Sequence, residues 1–434
     1  MNSHMDEPAT RRQPSAAQQP DWPDPGKLSE VVRTLERLPS LVSLTDCDAL
    51  RDRLAAVARG DAFLFQAGDC AELFAASQVE SAEAKIRCLA DIATVLTAVS
   101  GLPIVTVGRI AGQYAKPRST PTETRDDDVL PAYRGDAVNS IQFTAKDRTP
   151  DPRRLLRAYR ASARTLLEIR KLQAREPVLR RRLGGNCFTS HEALLLPYEN
   201  ALTRTDPASG RRYGASGHLL WIGERTRQIS GPHIAFAARV CNPIAVKLGR
   251  TATPGTIAQL VERLDPQRQP GRLTFITRFG SDAVREMLPP LVEEALAVGS
   301  PAAWVCDPMH GNTFVTPEGR KTRRLETIHD EIRGFFEVHK ELGTIPGGLH
   351  LEVTSRNVTE CIDSGSPVRV DDLHRRYETA CDPRLNRDQV LRLTYGTAPL
   401  INSTGWINPR AGNQPGSRDS AGSLVTHPRP GRLS

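Results

Sequence analysis

Eight short apolar runs, separated by helix-length segments, punctuate the chain between residues 62 and 353. They are Ala62–Gln66, Ile104–Val107, Asn186–Thr189, Leu219–Ile222, Ile244–Val246, Leu273–Thr277, Ala303–Cys306 and Leu349–Glu352. Continuous apolar runs of this length suit parallel strands covered on both faces. At or just past their ends stand Cys70, Arg109, His191, Glu224, Arg225, Lys247, Arg278, His310 and Glu352. Eight such strands with polar residues at their C-terminal ends predict an α/β chain folded as a (β/α)8 TIM barrel. Chemistry in that fold gathers on that face.

The remaining segments divide the chain further. Residues 1–26 are rich in Pro, Gln and Asp and are expected to stay mobile until the chain meets the core. Residues 27–60 carry Leu28, Val31, Val32, Leu35 and Leu38, then Leu50, Leu54 and Val57, a spacing that predicts an extension of two short helices. The barrel domain is expected over 61–407 and a disordered tail over 408–434. The polar, Pro-containing stretch 111–150 reads as a substrate-covering loop. Gly396 and Pro399 predict that the last helix of the barrel stops early.

Composition excludes several classes. No apolar run approaches the roughly 18 residues needed to span a membrane. The N-terminus lacks a hydrophobic signal core, so a cytoplasmic enzyme is expected. Eight Cys in 434 residues are too sparse for a disulfide scaffold, and Cys47, Cys88, Cys187 and Cys241 read as packing residues. The net charge of +8 lies partly in the Arg-rich tail. The Arg-rich stretch 153–170 has Leu155, Leu156, Tyr159, Leu166 and Leu167 at helical spacing, which makes its charges a solvated helix face rather than a nucleic-acid surface. Walker, dinucleotide and nucleophile-elbow motifs are absent.

Two sets of residues carry chemistry. Cys70 in AGDCAE, His310 in CDPMHGNT, Glu352 in LHLEVT and Asp382 in CDPRLN offer one sulfur, one nitrogen and two oxygen donors, a set suited to a divalent transition metal. Three stand at strand ends and the fourth in the loop after the last strand, positions that a barrel brings together. Arg109, Lys116, Arg118, Arg225, Arg227, Lys247 and Arg278 supply cations at the same mouth. Burying such charges unpaired is costly, and Arg and Lys in this setting suit phosphate oxygens.

AGDCAE, GRIAGQYAKPRS, TSHEALLLPYE, GERTRQ, NPIAVKLG, WVCDPMHGNT, GGLHLEVT, NVTEC and CDPRLN, in this order, resemble type II 3-deoxy-D-arabino-heptulosonate 7-phosphate (DAHP) synthases. The resemblance implies a metal-dependent aldol-type condensation of phosphoenolpyruvate with erythrose 4-phosphate and water. The products are DAHP and phosphate, in the first step of the shikimate route to chorismate and aromatic compounds. It implies Cys70, His310, Glu352 and Asp382 as ligands of manganese, with cobalt or other divalent ions as substitutes. Arg109, Trp221, Glu224, Arg225, Lys247 and Arg278 match the phosphoenolpyruvate site, and Lys116, Arg118 and Ser119 the erythrose 4-phosphate site. Glu224 is expected to position the water that adds at C2, and Lys116 to protonate the new hydroxyl. Cys70 and Cys381 are expected to form a disulfide when the metal-free site is oxidised.

The family further implies a homo-oligomer, dimer or tetramer. Chorismate mutase is a conceivable partner for which no residue speaks. Between Arg118 and Trp221 the chain lacks room for the helical pair inserted in longer members. It therefore resembles the short, feedback-insensitive group that serves secondary metabolism such as phenazine synthesis. Two alternatives share these residues: an amino-DAHP synthase of an aminoshikimate route, and a non-catalytic barrel that binds a partner.

Overall fold

The computed structural model describes residues 15–74, 78–125, 127–365 and 368–403. The tail expected over 408–434 lies outside them, as do residues 1–14 of the N-terminal segment.

Eight parallel strands close a barrel: β1 (Phe63–Gly68), β2 (Ile104–Arg109), β3 (Phe188–Glu192), β4 (Leu219–Ile222), β5 (Ile244–Leu248), β6 (Leu273–Thr277), β7 (Ala303–Cys306) and β8 (Pro346–Glu352). The α/β (β/α)8 TIM barrel expected from the apolar runs is the observed fold. Every strand residue is buried, which is why the runs read as continuous rather than alternating. The runs locate the strands but not all their ends: the eighth strand starts three residues earlier than expected, at Pro346, and the first runs from Phe63 to Gly68. The third strand starts two residues later than expected, at Phe188, and continues to Glu192. Gly184 and Gly185, with φ of +72° and +123°, turn the chain just before it. A Cβ on Gly184 would lie 2.0 Å from the Ile104 carbonyl oxygen.

Strand register places the chemistry. Gly68 at the end of β1 pairs with Arg109 on one side and Glu352 on the other, so a cation and a carboxylate flank it at one level of the mouth. Gly68 has φ of +152°, and a Cβ there would lie 2.6 Å from the Arg109 carbonyl oxygen.

Two helices precede the barrel, α1 (Pro25–Glu36) and α2 (Leu44–Ala58). Asp24 caps α1 and Ser43 caps α2 through backbone amides, each satisfying a donor that the first helical turn leaves free. Leu50, Leu54 and Val57 of α2 join Leu64, Val105, Leu219, Ile276 and Val305 in one apolar cluster that fills the barrel interior. Burial of each such side chain stabilises the plug by roughly 1.5–3 kcal/mol. Trp221 belongs to the same cluster and forms its upper end, beneath the mouth.

A principal helix follows each strand: α3 (Gln78–Ser100), α4 (Arg153–Arg175), α5 (Leu196–Ala201), α6 (Pro232–Arg239), α7 (Pro254–Leu264), α8 (Val284–Ala297), α9 (Leu325–Glu341) and α10 (Arg387–Ser403), with the short helices Ala145–Arg148 and Pro177–Arg182 on either side of α4. The early stop expected for the last helix is corrected. α10 runs through Gly396 and Pro399 to Ser403. Pro399 removes one donor, to the carbonyl of Tyr395, and Tyr395 lies on the exposed face, where losing that bond costs little. Gly396 is needed for close approach to α9, because a Cβ there would sit 2.7 Å from His329 Nε2. Val390, Leu393 and Ile401 meanwhile bury against the core.

Two other segments are more ordered than their composition suggests. The chain meets the core before residue 27. Gln18 accepts the Arg118 amide at 3.0 Å, Gln19 donates to the Leu194 carbonyl at 2.7 Å, and Trp22 packs on the second apolar cluster. Within 111–150, Thr122–Arg125 and Asp128–Pro131 form an antiparallel hairpin. Buried Arg148 ties it down through Glu123 Oε2 at 2.9 Å and the Pro131 carbonyl at 3.1 Å. No helix among the described residues is long and apolar enough to cross a membrane.

Candidate active site

A cleft of about 440 Å³, counting its open mouth, lies at the C-terminal ends of the strands. Arg109, Lys116, Trp221, Glu224, Arg225, Lys247, Arg278, His310 and Asp382 line it, together with Gln113, Pro117, Glu192 and Gly223. Arg118 lies further out, with Nη2 held 3.0 Å from Glu123 Oε1. Ser119 is exposed and outside the lining.

The floor is the Trp221 ring. The Arg109 guanidinium carbon stands 5.2 Å and the Lys247 Nζ 5.8 Å from its centroid, distances at which a ring face attracts a cation. Arg109 is buried and donates to Glu352 Oε1 at 2.9 Å and to the Asp69 carbonyl at 3.1 Å. Lys247 bonds Asp307 Oδ2 at 2.7 Å. Burial pulls the Lys247 ammonium down, Asp307 pushes it up, and Arg109 and Arg278 pull it down again, leaving its pKa at about 8. Arg278 donates to the His310 carbonyl at 3.2 Å, while its Nε has no partner among the described residues.

Beside these cations, one donor atom each from His310, Glu352 and Asp382 lie within 4.8 Å of one another. Asp307 accepts from His310 Nδ1 at 2.7 Å, which leaves Nε2 as the lone-pair nitrogen. That nitrogen stands 3.2 Å from Glu352 Oε1. Burial holds the His310 imidazole toward its neutral form, so two lone-pair atoms face each other where a shared cation fits. Around them, Arg323 bonds Glu352 Oε2 at 2.9 Å and Lys321 bonds Asp382 Oδ1 at 3.0 Å. Lys116 stands 3.3 Å from both Glu352 Oε1 and Asp382 Oδ2. Burial alone would discharge Lys116, but those carboxylates raise its pKa above the ordinary lysine value.

Cys70 lies beside this group rather than within it. Its Sγ is 3.1 Å from Thr379 Oγ1, and burial followed by the Glu352 carboxylate raises its thiol pKa. Burial also raises the Cys381 thiol, and the Cys70 sulfur adds to that.

The geometry changes the picture of the carboxylates. Glu224 is fully engaged, by Arg227 at 2.7 and 2.8 Å, the Gly249 amide at 2.7 Å and Thr251 Oγ1 at 2.6 Å. Glu192 is the carboxylate with an open oxygen: its Oε1 has no partner among the described residues. Burial raises its pKa against the pull of Lys116, Lys247, Arg109 and Arg225. A Cβ on Gly223 would sit 2.1 Å from that oxygen. Sequence reasoning passed over Glu192 because it placed His191 at the mouth. Neighbouring strand residues face opposite sides, and His191 instead faces outward to Glu199 at 2.8 Å. Asp307 was also missed, although its spacing of three before His310 in CDPMH is a readable signal.

The sequence matches the Class-II DAHP synthetase family over residues 6–183 and 180–398. A phospho-2-dehydro-3-deoxyheptonate aldolase of Streptomyces coelicolor is 49% identical over 433 residues, covering 90% of this chain and 96% of the relative. The phospho-2-dehydro-3-deoxyheptonate aldolase AroG of Mycolicibacterium smegmatis is 43% identical, covering 89% and 92%. Matches of this length and identity place the chain in the class-II DAHP synthetase family, as a transferase that makes DAHP from phosphoenolpyruvate and erythrose 4-phosphate.

Proposed function

We propose that this synthase is metal-dependent and that its four donors Cys70, His310, Glu352 and Asp382 hold manganese, or cobalt in its place. The reading rests on the His310 Nε2 to Glu352 Oε1 contact of 3.2 Å, between an imidazole whose other nitrogen is committed to Asp307 and a carboxylate. A divalent cation there supplies Lewis acidity toward an aldehyde oxygen.

The chain's own residues account for the rest. Arg109, Arg225, Lys247 and Arg278 bind the carboxylate and phosphate of phosphoenolpyruvate over the Trp221 floor and orient its C3 toward the aldehyde. Lys116, kept charged by two carboxylates, delivers a proton to the oxygen that becomes the new hydroxyl as the C–C bond forms. Arg118 and Ser119 meet the far end of erythrose 4-phosphate at the rim. Water then adds at C2, and the C2–O bond breaks as phosphate leaves. The water-positioning role, first assigned to Glu224, fits Glu192 better, since Glu224 has no free acceptor and Glu192, which lines the cleft, has one. Glu224 instead organises the Gly249–Thr251 turn beside Lys247.

The same proposal includes a homo-oligomer, on the family resemblance alone, and supply of secondary metabolism without aromatic feedback. The two matched stretches meet at residues 180–183, between α4 and β3. The 433-position alignments take in only 90% and 89% of this chain, so both relatives carry stretches that it lacks. A phosphoenolpyruvate-loss assay with erythrose 4-phosphate tests the metal reading. Chelation should abolish turnover and manganese should restore it. Full activity of metal-free enzyme would refute it.

A further inference from the structure

We propose that a buried chain of alternating charges behind the cleft, Glu360–Arg384–Asp69–Lys85–Glu72, positions three functional loops and holds Cys70 and Asp382 at a common distance. Arg384 grips Glu360 with two side-chain nitrogens, at 3.0 and 2.8 Å, and with its backbone amide at 2.7 Å. Its third nitrogen reaches Asp69 Oδ1 at 2.7 Å. The other oxygen of Asp69 meets Lys85 Nζ at 2.5 Å, and Lys85 lies 3.7 Å from Glu72 Oε1. Glu72 Oε2 then accepts the amides of Gly112 and Gln113 at 3.0 Å each.

Each link ends next to chemistry. Asp69 directly precedes Cys70, and Arg384 stands two residues after Asp382. The amides that Glu72 holds open the segment leading to Lys116. None of the five side chains lines the substrate cleft, so they are positioning residues. The four other than Lys85 are at least nine-tenths buried. Planar guanidinium forks fix geometry as well as charge, and Arg384 grips carboxylates on two different loops, those of Glu360 and Asp69. Cys70 and Asp382 lie on separate loops with no strand hydrogen bond between them. The Asp69–Arg384 contact is the charged tie between them, beside the contact of 3.1 Å that Cys70 Sγ makes with Thr379 Oγ1, which in turn donates to the Asp382 carbonyl. Groups that orient metal ligands from behind typically change affinity about 10- to 100-fold when removed.

The inference rests on the metal site proposed above, and its test separates the two. Manganese binding is titrated on wild type, Arg384→Gln and Glu72→Gln, and cobalt–thiolate charge-transfer absorption reports ligation by Cys70. Arg384→Gln should weaken manganese binding by about 10-fold or more and lose the thiolate band. Glu72→Gln should leave manganese affinity within about twofold and raise KM for erythrose 4-phosphate, because its arm reaches the Lys116 segment. If Arg384→Gln does not fold, Arg384→Lys, which keeps one contact but not the fork, is read the same way. Unchanged manganese affinity and an intact thiolate band in the folded Arg384 variant overturn the inference. So does the same uniform loss of kcat in both variants with KM and metal affinity unmoved. Wild-type enzyme that binds no manganese removes the metal site itself, and with it the Arg384 arm.

Discussion

Asp307→Asn should move the alkaline limit of phosphoenolpyruvate use. Asp307 is fully buried and bonds Lys247 at 2.7 Å, and it is the largest influence that keeps Lys247 charged against burial. At that distance, and at an effective dielectric of about 20, the attraction is about 6 kcal/mol. Asn keeps a dipole and water can enter, so a conservative share of about 1.4–3 kcal/mol, or one to two pH units, is expected in the Lys247 pKa. The direction is set by the charge lost: an ammonium without its carboxylate releases its proton more readily. Wild-type kcat/KM for phosphoenolpyruvate should therefore fall above a pH of about 8, and the variant should fall at least one unit earlier. Manganese is kept saturating, so that loss of the Asp307–His310 contact does not masquerade as a Lys247 effect. Lys247→Arg carries a guanidinium that stays charged to about pH 12 and should erase the limb altogether. An alkaline limb unmoved by Asp307→Asn, or persisting in Lys247→Arg, would refute the assignment.

Glu192→Gln should lower kcat by about 100-fold or more while manganese affinity, read by titration, stays unchanged; a kcat near wild type would remove Glu192 from the water step. Gly184→Ala should cost more than about 2 kcal/mol, from the left-handed backbone penalty plus the clash with the Ile104 carbonyl, and thermal unfolding measures it; an unchanged midpoint contradicts the turn geometry. Trp, Phe and Tyr at physiological concentrations should leave initial rates unaffected, and potent inhibition by any of them would overturn the feedback-insensitive reading.

The barrel was legible because its strands are buried on both faces, so each announces itself as an unbroken apolar run. Strand ends were not. Arg109, His191, Glu192 and Lys247 are polar yet lie inside strands, because backbone pairing is indifferent to side-chain polarity and the mouth supplies partners for the charges. The displaced third run shows the cost. A two-residue offset kept the strand but put the wrong member of the His191–Glu192 pair at the cleft. The last helix misled for a related reason: Gly396 and Pro399 are breakers locally, but close approach to His329 and an exposed Tyr395 turn carry the chain through both.

At the site, residue types were legible and their division of labour was not. Cations at the mouth read as phosphate ligands from their chemistry alone. In three dimensions Arg109, Lys116, Arg323 and Lys321 all form ion pairs with Glu352 or Asp382. Arg323 and Lys321 carry no motif signal, because they lie in the segment between β7 and α9 rather than at a strand end. With Arg225, Arg227, Lys247 and Arg278 added, eight cations face five carboxylates, those of Glu192, Glu224, Asp307, Glu352 and Asp382. A divalent ion widens that excess, and a substrate bearing a carboxylate and a phosphate offsets it. Part of the positive balance therefore stands where it has a chemical use, and register, not composition, decides which charges serve the ion and which are left for the substrate.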